Sequence, residues 1–327
     1  MPRPLRIEYE GAYYHVMNRG RGRRLIFHDK RYYEAFLDTL AEARQRFSAI
    51  FHAYCLMGNH YHLLIETPEA NLNRIMRHIN GVYTQRYNRL KKTDGPLFRG
   101  RYKAILVDSD AYLLSLSRYI HRNPIETQKP LVKQLAQYPW SSYPAYIGQE
   151  TPPPWLEQMQ IFQLLGKRNR FQAYKSYVDL GIDEELTTFY GKKNIAAVLG
   201  DKVFRTQAYK KNRADVPQQH KKRILQRPTS KDVIATVAKV YQVSENSIVQ
   251  PQQGRQHRNL PRKVAMYICQ HACDMSLRAI AAVFGITHVG SVSNALSEVK
   301  RLLADDDATQ RGVEKILSII QKTGLSI

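Results

Sequence analysis

Met57-Gly58-Asn59-His60-Tyr61-His62-Leu63-Leu64-Ile65 runs on to Thr67-Pro68, and the reading of the first half of the chain turns on it. Apolar and aromatic residues fill the run, and Gly58-Asn59 supplies a hairpin-like turn in front of it. Ala49 to Met57, just upstream, reads as its partner strand. Side chains alternate between the faces of a strand, so His60 and His62 share one face. Two imidazoles placed this way can each give a ring nitrogen to one metal ion. The same spacing serves ordinary surface or core histidines, so the pair needs support from elsewhere in the chain.

Upstream, Ala12-Tyr13-Tyr14-His15-Val16-Met17 reads as a strand rich in aromatic and branched residues. Asn18-Arg19-Gly20-Arg21-Gly22-Arg23-Arg24 follows as a loop whose Arg19, Arg21, Arg23 and Arg24 suit phosphates. Asp29 to Phe47 has a helical stripe of Phe36, Leu37 and Leu40. After the hairpin, Asn71 can cap a helix with Leu72, Ile75, Ile79, Val82 and Leu90 along one side. Pro96 to Lys103 carries Arg99, Arg101 and Lys103 into a strand from Ala104 to Val107. Asp108, Ser109 or Asp110 can then cap a helix that turns Leu113, Leu116 and Ile120 inward. The order β-α-β-β-α-β-α predicts an α+β, ferredoxin-like sheet. Its helices should cover one face and leave the other free for a ligand.

The support comes from Arg118-Tyr119-Ile120-His121-Arg122-Asn123-Pro124. Tyr119 and Asn123 are four apart, hence on one helical face. Pro124 disfavours αR geometry at Asn123, which places that residue at the helix end. A tyrosine hydroxyl can attack phosphorus and keep a covalent phosphotyrosine. Its ordinary pKa near 10 makes it a poor nucleophile at neutral pH. A divalent ion that polarises a phosphate oxygen eases that demand. Two imidazoles and the Asn123 amide oxygen could hold such an ion beside the phenol. Without the histidines, Tyr119 would read as a buried helix tyrosine.

Lys and Arg number 50 against 28 Asp and Glu, for a formal net charge of +22 in 327 residues. The excess is positive in each of the three sections divided at residues 148 and 225, so it is not a detachable tail. A chain this basic meets polyanions, and 21 tyrosines among the cations suit unstacked bases. Cys55, Cys269 and Cys273 give no disulfide framework and no zinc spacing, and a buried role suits Cys269 and Cys273. No apolar run has membrane length and the N-terminus lacks a signal-peptide core, which predicts a reducing cytoplasm and no membrane partner.

Pro152-Pro153-Pro154 predicts a boundary. Residues 1–148 read as one domain and 149–225 as a helical middle segment with linkers, the last being Asp215 to Arg227 with Pro217 and Lys221-Lys222-Arg223. Residues 226–327 read as a third unit. There, Lys231 to Val243 and Pro261 to Cys273 are helical. Ser276 caps Leu277 to Phe284, Gly285 stops it, and a further helix starts at His288: a helix-turn-helix.

Taken together, His60-Tyr61-His62 after Gly58-Asn59 and the Tyr119 to Asn123 segment resemble the HUH single-tyrosine transposases. Within them the closest likeness is to the REP-associated tyrosine transposases of bacteria. It spans roughly residues 5–148, including Tyr13-Tyr14-His15-Val16 and Leu97-Phe98-Arg99-Gly100-Arg101-Tyr102. The resemblance implies a ferredoxin-like fold and Mg²⁺ or Mn²⁺ at His60 and His62. It also implies Tyr119 as nucleophile, and cleavage of single-stranded DNA beside short palindromic hairpins through a 5′-phosphotyrosine. Asn123 falls where a third ligand stands, glutamine in some relatives. Arg118 and Arg122 join the loop cations as DNA contacts.

Pro261-Arg262-Lys263-Val264-Ala265-Met266-Tyr267, Ser276-Leu277, Ile280, Phe284-Gly285 and His288 resemble the DNA-binding domain of the bacterial replication initiator. This implies duplex DNA contacts from His288, Ser291 and Asn294. The initiator's Arg-Asp is replaced here by Ile286-Thr287, so its base specificity is not carried over. Alternative functions are a regulator that binds repeats without cutting, and an RNA-binding sheet. The sequence leaves the oligomeric state open, a homodimer being one option.

Overall fold

The computed structural model describes residues 6–166, 168–211, 228–250, 259–273 and 275–324. The chain divides into two units, 1–216 and 217–327, each with its own apolar core. The expected linker from Asp215 to Arg227 lies outside the described residues.

In the first unit, β1 (Ala12–Arg19), α1 (Lys30–Phe47), β2 (Ile50–Met57), β3 (His60–Thr67), α2 (Leu72–Lys91), β4 (Lys103–Val107) and α3 (Ser109–Arg122) follow in the predicted order. The sheet runs β2-β3-β1-β4-β5, with β1 antiparallel to both β3 and β4. The short β5 (Val198–Leu199) joins β4 in parallel. Asp29 caps α1, its side chain accepting from the Arg31 amide. Asn71 stands at the N-terminus of α2, but its side-chain amide donates to the Phe47 carbonyl at 3.0 Å instead of capping.

The buried side of α2 is Leu72, Ile75, Met76, Ile79, Tyr83 and Tyr87. Tyr83 and Tyr87 thus face inward where Val82 was expected to, while Leu90 packs partly buried against the core as expected. Two steps of four from Ile79 lead to Tyr83 and Tyr87, and a tyrosine can be buried when its hydroxyl has a partner. That of Tyr87 meets a ring nitrogen of His28 at 2.9 Å.

Alternation along β3 divides its residues between two layers. Tyr61 points to the α1 and α2 side, its ring 4.9 Å from that of Phe36 and its hydroxyl donating to Asn80 at 2.7 Å. His60 and His62 face the other way, toward α3. The expectation of a free second face is therefore not met. α3 packs over β2 and β3, and beyond the short α4 (Tyr143–Tyr146), α5 (Met159–Leu165) and α6 (Arg170–Asp179) pack against α3.

The added layer comes from the segment read as a separate middle piece. Ile161, Phe162, Tyr174, Val178, Leu186, Phe189, Val198 and Leu199 belong to the same core as the sheet. The proline run does not detach this segment: Leu156 bridges to Phe51 of β2, and the Glu157 amide donates to the Phe51 carbonyl at 2.8 Å. Apolar residues too sparse to suggest a core in sequence can complete one that already exists.

The second unit is all helical. Helices span Ser230–Tyr241, Glu245–Val249, Leu260–His271, Leu277–Val283, Val289–Asp305 and Asp307–Gly324. Ser276 caps the fourth by accepting from the Ala279 amide, and Gly285 follows at φ 59, a left-handed turn that glycine adopts without strain. Arg262 is buried, donating to the carbonyls of Ile248 at 2.8 Å, Phe284 at 2.6 Å, and Val249. Its guanidinium thereby ties three segments of the unit together. The three cysteines are free thiols, Cys55 and Cys269 buried and Cys273 partly so. Among the described residues no helix is long and apolar enough to cross a membrane.

Candidate active site

The α3 side of the sheet gathers imidazole and phenol rings. β1 pairs with β3 so that Met17 lies opposite His62, which sets His15 diagonally across from His62. His15 Nε2 and His62 Nδ1 are 2.9 Å apart, and their rings stack at 5.1 Å. The His60 ring lies 5.1 Å from that of His62, edge to face, and His60 Nδ1 donates to Asn59 Oδ1 at 2.6 Å. α3 places the Tyr119 ring 6.3 Å from His62 and 5.9 Å from His15. α7 (Glu184–Gly191) adds Tyr190, whose ring lies parallel to that of Tyr119 at 4.3 Å and whose hydroxyl meets His15 Nδ1 at 2.6 Å.

Burial sets the charge state of these groups. It holds the pKa of His62 well below the ordinary imidazole value, with His15 and His60 adding to the effect. It lowers His60 as well, and brings His15 down to about 3, assisted by the Lys103 charge. All three rings are therefore uncharged at neutral pH, the form that binds metals. Burial pushes Tyr119 up to about 12, so the phenol keeps its proton until something draws it off.

The donors suit a divalent cation. His60 and His62 each have Nδ1 engaged, by Asn59 and His15, which leaves Nε2 of each as the ring atom for a metal. Among the described residues, no three His, Cys, Asp or Glu side chains converge as a complete ligand set. A cation here would rest on the two imidazoles with oxygen donors of another kind. Asn123 terminates α3, as expected, but with φ −47 and ψ −40 it stays in the αR region despite Pro124. The Asn123 side-chain nitrogen Nδ2 donates back to the carbonyls of Tyr119 at 2.9 Å and Ile120 at 3.3 Å, contacts that accompany this helical end.

A basic rim adjoins His60. Arg19 lies opposite His60 in the β1–β3 register. The Arg21 amide donates to the Leu97 carbonyl, and the Arg99 amide donates to the Arg19 carbonyl, which ties the two cationic loops together. Gly20 is required at that junction, since a Cβ there would come within 2.2 Å of the Arg24 carbonyl oxygen. Arg21, Arg23, Arg24, Arg99, Arg101 and Lys103 are exposed along this edge.

Arg118 and Arg122 are placed differently. Arg118 is only 4% exposed, pairs with Asp183 and lies over the Tyr177 ring at 4.2 Å. Arg122 pairs with Glu126 and donates to the Val178 carbonyl at 2.8 Å. Both guanidiniums hold the middle segment to α3, and the DNA contacts expected of them are not supported by their surroundings. In the second unit, Val292, Ala295, Leu296 and Val299 are buried, and His288, Ser291 and Asn294 are exposed at the start of their helix.

Two members of the constellation were given no role by the sequence. His15 lies in Tyr13-Tyr14-His15-Val16, part of the transposase resemblance, which assigned it no function. Tyr190 lies far along the chain and reaches Tyr119 only through the tertiary fold.

Residues 8–123 match the family model described as IS200-like transposase, and residues 230–299 match that of the bacterial DnaA protein helix-turn-helix. No curated protein matches the chain. Among solved structures, it is similar to a REP-associated tyrosine transposase bound to a REP hairpin, at 16% identity and a TM-score of 0.41, over 48% of this chain and 92% of that one. The chain thus carries two separate likenesses, residues 8–123 to IS200-like transposases and residues 230–299 to the DnaA helix-turn-helix.

Proposed function

We propose that the first unit cuts and transfers single-stranded DNA next to hairpin repeats, with Tyr119 as nucleophile and Mg²⁺ or Mn²⁺ at His60 and His62. The observation that carries this reading is the convergence of His60, His62 and Tyr119 on one face of the sheet, the Tyr119 ring 6.3 Å from that of His62. Bound there, the cation would supply Lewis-acid polarisation of the scissile phosphate. The Tyr119 oxygen forms a bond to phosphorus, the bond to the 3′ oxygen breaks, and the strand keeps a 5′-phosphotyrosine. The phenol gives up its proton as it attacks, and the leaving 3′ oxygen takes one up. Burial raises Tyr119 to about 12, so the phenol enters this step protonated.

The remaining residues bind and orient. Arg21, Arg23, Arg24, Arg99, Arg101 and Lys103 offer an exposed track for the phosphates of an incoming strand. Asn123 is the proposed oxygen donor from α3. The second unit adds duplex contacts through His288, Ser291 and Asn294.

One observation favours a second reading, a regulator that binds repeats without cutting. Tyr190 stacks over one face of Tyr119 at 4.3 Å, which limits access to that ring. The experiment is incubation of the protein with labelled hairpin-bearing strands and Mg²⁺ or Mn²⁺, followed by a denaturing gel. A protein-linked strand is the result expected of the enzyme. Tight binding with no linked strand under any divalent ion would leave only the regulator.

A further inference from the structure

We propose that His15 and Tyr190 are positioning residues for the metal site, forming a hydrogen-bonded chain that lets His62 present an unprotonated Nε2. This rests on the reading of His60 and His62 as cation ligands. It goes beyond that reading because Tyr190 lies outside the 8–123 segment that matches the transposase family.

The argument is a count of protons. A neutral imidazole has one N–H and one lone pair. His60 needs no help, since Nδ1 donates to the Asn59 amide oxygen and Nε2 is left bare. His62 has no such fixed acceptor. Its Nδ1 meets His15 Nε2 at 2.9 Å, and His15 Nδ1 meets the Tyr190 hydroxyl at 2.6 Å.

Two arrangements fit these contacts. In one, the Tyr190 hydroxyl donates to His15 Nδ1, His15 Nε2 donates to His62 Nδ1, and the His62 proton sits on Nε2. That form cannot take a cation. In the other, every bond is reversed: His62 Nδ1 donates to His15 Nε2, and His15 Nδ1 donates to the Tyr190 oxygen. His62 Nε2 is then free to bind. Only a chain that ends in a group able both to donate and to accept can hold both forms, and the Tyr190 hydroxyl is such a group. A partner on the far nitrogen of a ligating histidine fixes its tautomer and orientation. Here the partner is a second histidine, backed by a tyrosine that also stacks on Tyr119. The segment added after the transposase match therefore completes the site.

The test measures Mn²⁺ binding by calorimetry on the full chain without DNA, with His62 followed by NMR of ¹⁵N-histidine-labelled protein. His15→Leu removes the acceptor and should weaken Mn²⁺ binding about 10- to 100-fold. His15→Gln offers a side-chain carbonyl to the His62 Nδ1–H and should restore most of it. Tyr190→Phe keeps the stacked ring and should shift the apo His62 signals while weakening Mn²⁺ a few-fold. Thermal unfolding shows whether each variant is folded. If His15→Leu does not fold, the comparison of His15→Gln and Tyr190→Phe with wild type decides alone.

Wild-type Mn²⁺ affinity in folded His15→Leu or, failing that, unshifted His62 signals in Tyr190→Phe would overturn the proposal. So would a His15→Gln variant as weak as His15→Leu, since that pattern marks a packing role. Absence of Mn²⁺ binding in the wild type would instead remove the cation reading of the histidine pair, and the positioning role with it.

Discussion

The two units carry their polar chemistry in opposite places. In the first, His15, His62 and most of Tyr119 are inside the fold, and their states follow from burial and from one another. In the second, His288, Ser291 and Asn294 stand exposed on a helix whose other side supplies the core. Its one buried charge, among the residues named here, is Arg262, and that guanidinium serves backbone carbonyls. An interior site can tune acids, bases and ligands but depends on distant parts of the chain. A surface helix depends on little beyond its own amphipathic pattern, and it reads a partner without altering one.

The largest effect that should separate the two is loss of chemistry on damage to the interior alone. His60→Ala and His62→Ala should each lower cleavage by about 1,000-fold or more, several kcal/mol of transition-state stabilisation. Excess Mn²⁺ should recover part of it, since Mn²⁺ takes nitrogen ligands more readily than Mg²⁺. Initial rates on a labelled hairpin strand measure this. Unchanged rates would show that the buried histidines are structural.

A smaller effect should follow removal of the surface reader. A chain ended after residue 216 keeps the whole first core and should still cut a saturating hairpin strand. Capture of DNA that also carries a duplex should weaken by about 100-fold, the gain that linkage of two binding units can give. Titration by fluorescence anisotropy checks this. Loss of all cleavage in a folded, saturated truncation would mean that the two kinds of site are not separable.

The smallest effect compares two sorts of arginine within the first unit. Arg21→Ala and Arg101→Ala should each reduce the slope of log affinity against log salt by about 0.7, one phosphate contact on a single strand. Arg118→Ala should leave that slope alone and lower the unfolding temperature, because its partners are Asp183 and the Tyr177 ring. A change of slope from Arg118→Ala would place that side chain on the DNA.

What the sequence made legible divides along the same line. Period-two and helical patterns showed β1 to α3 and the helix-turn-helix within a residue or two, because each element buries its own face. The His60 and His62 pair with Tyr119 was readable as two local motifs. The covering of the second sheet face was not, since it depends on residues such as Phe162, Tyr174 and Phe189 whose spacing gives no distinct pattern. Tyr190 was invisible for the same reason, and His15, though part of a motif behind the resemblance, had no role to read: both roles exist only where β1, β3 and α7 meet. Arg118 and Arg122 were expected as DNA contacts because an arginine beside a nucleophile looks like a phosphate ligand; the fold gives them the acidic partners Asp183 and Glu126 instead.

The central claim is that Tyr119 supplies the attacking atom. Tyr119→Phe removes the hydroxyl and keeps the ring against Tyr190. Labelled hairpin strand incubated with this variant and with wild type, with and without Mn²⁺, is resolved on a denaturing gel beside a native binding gel. The expected result is near-normal hairpin binding by Tyr119→Phe, no covalent adduct, and no rescue by Mn²⁺. Adduct at the wild-type level from Tyr119→Phe would assign the nucleophile to another residue and contradict the account.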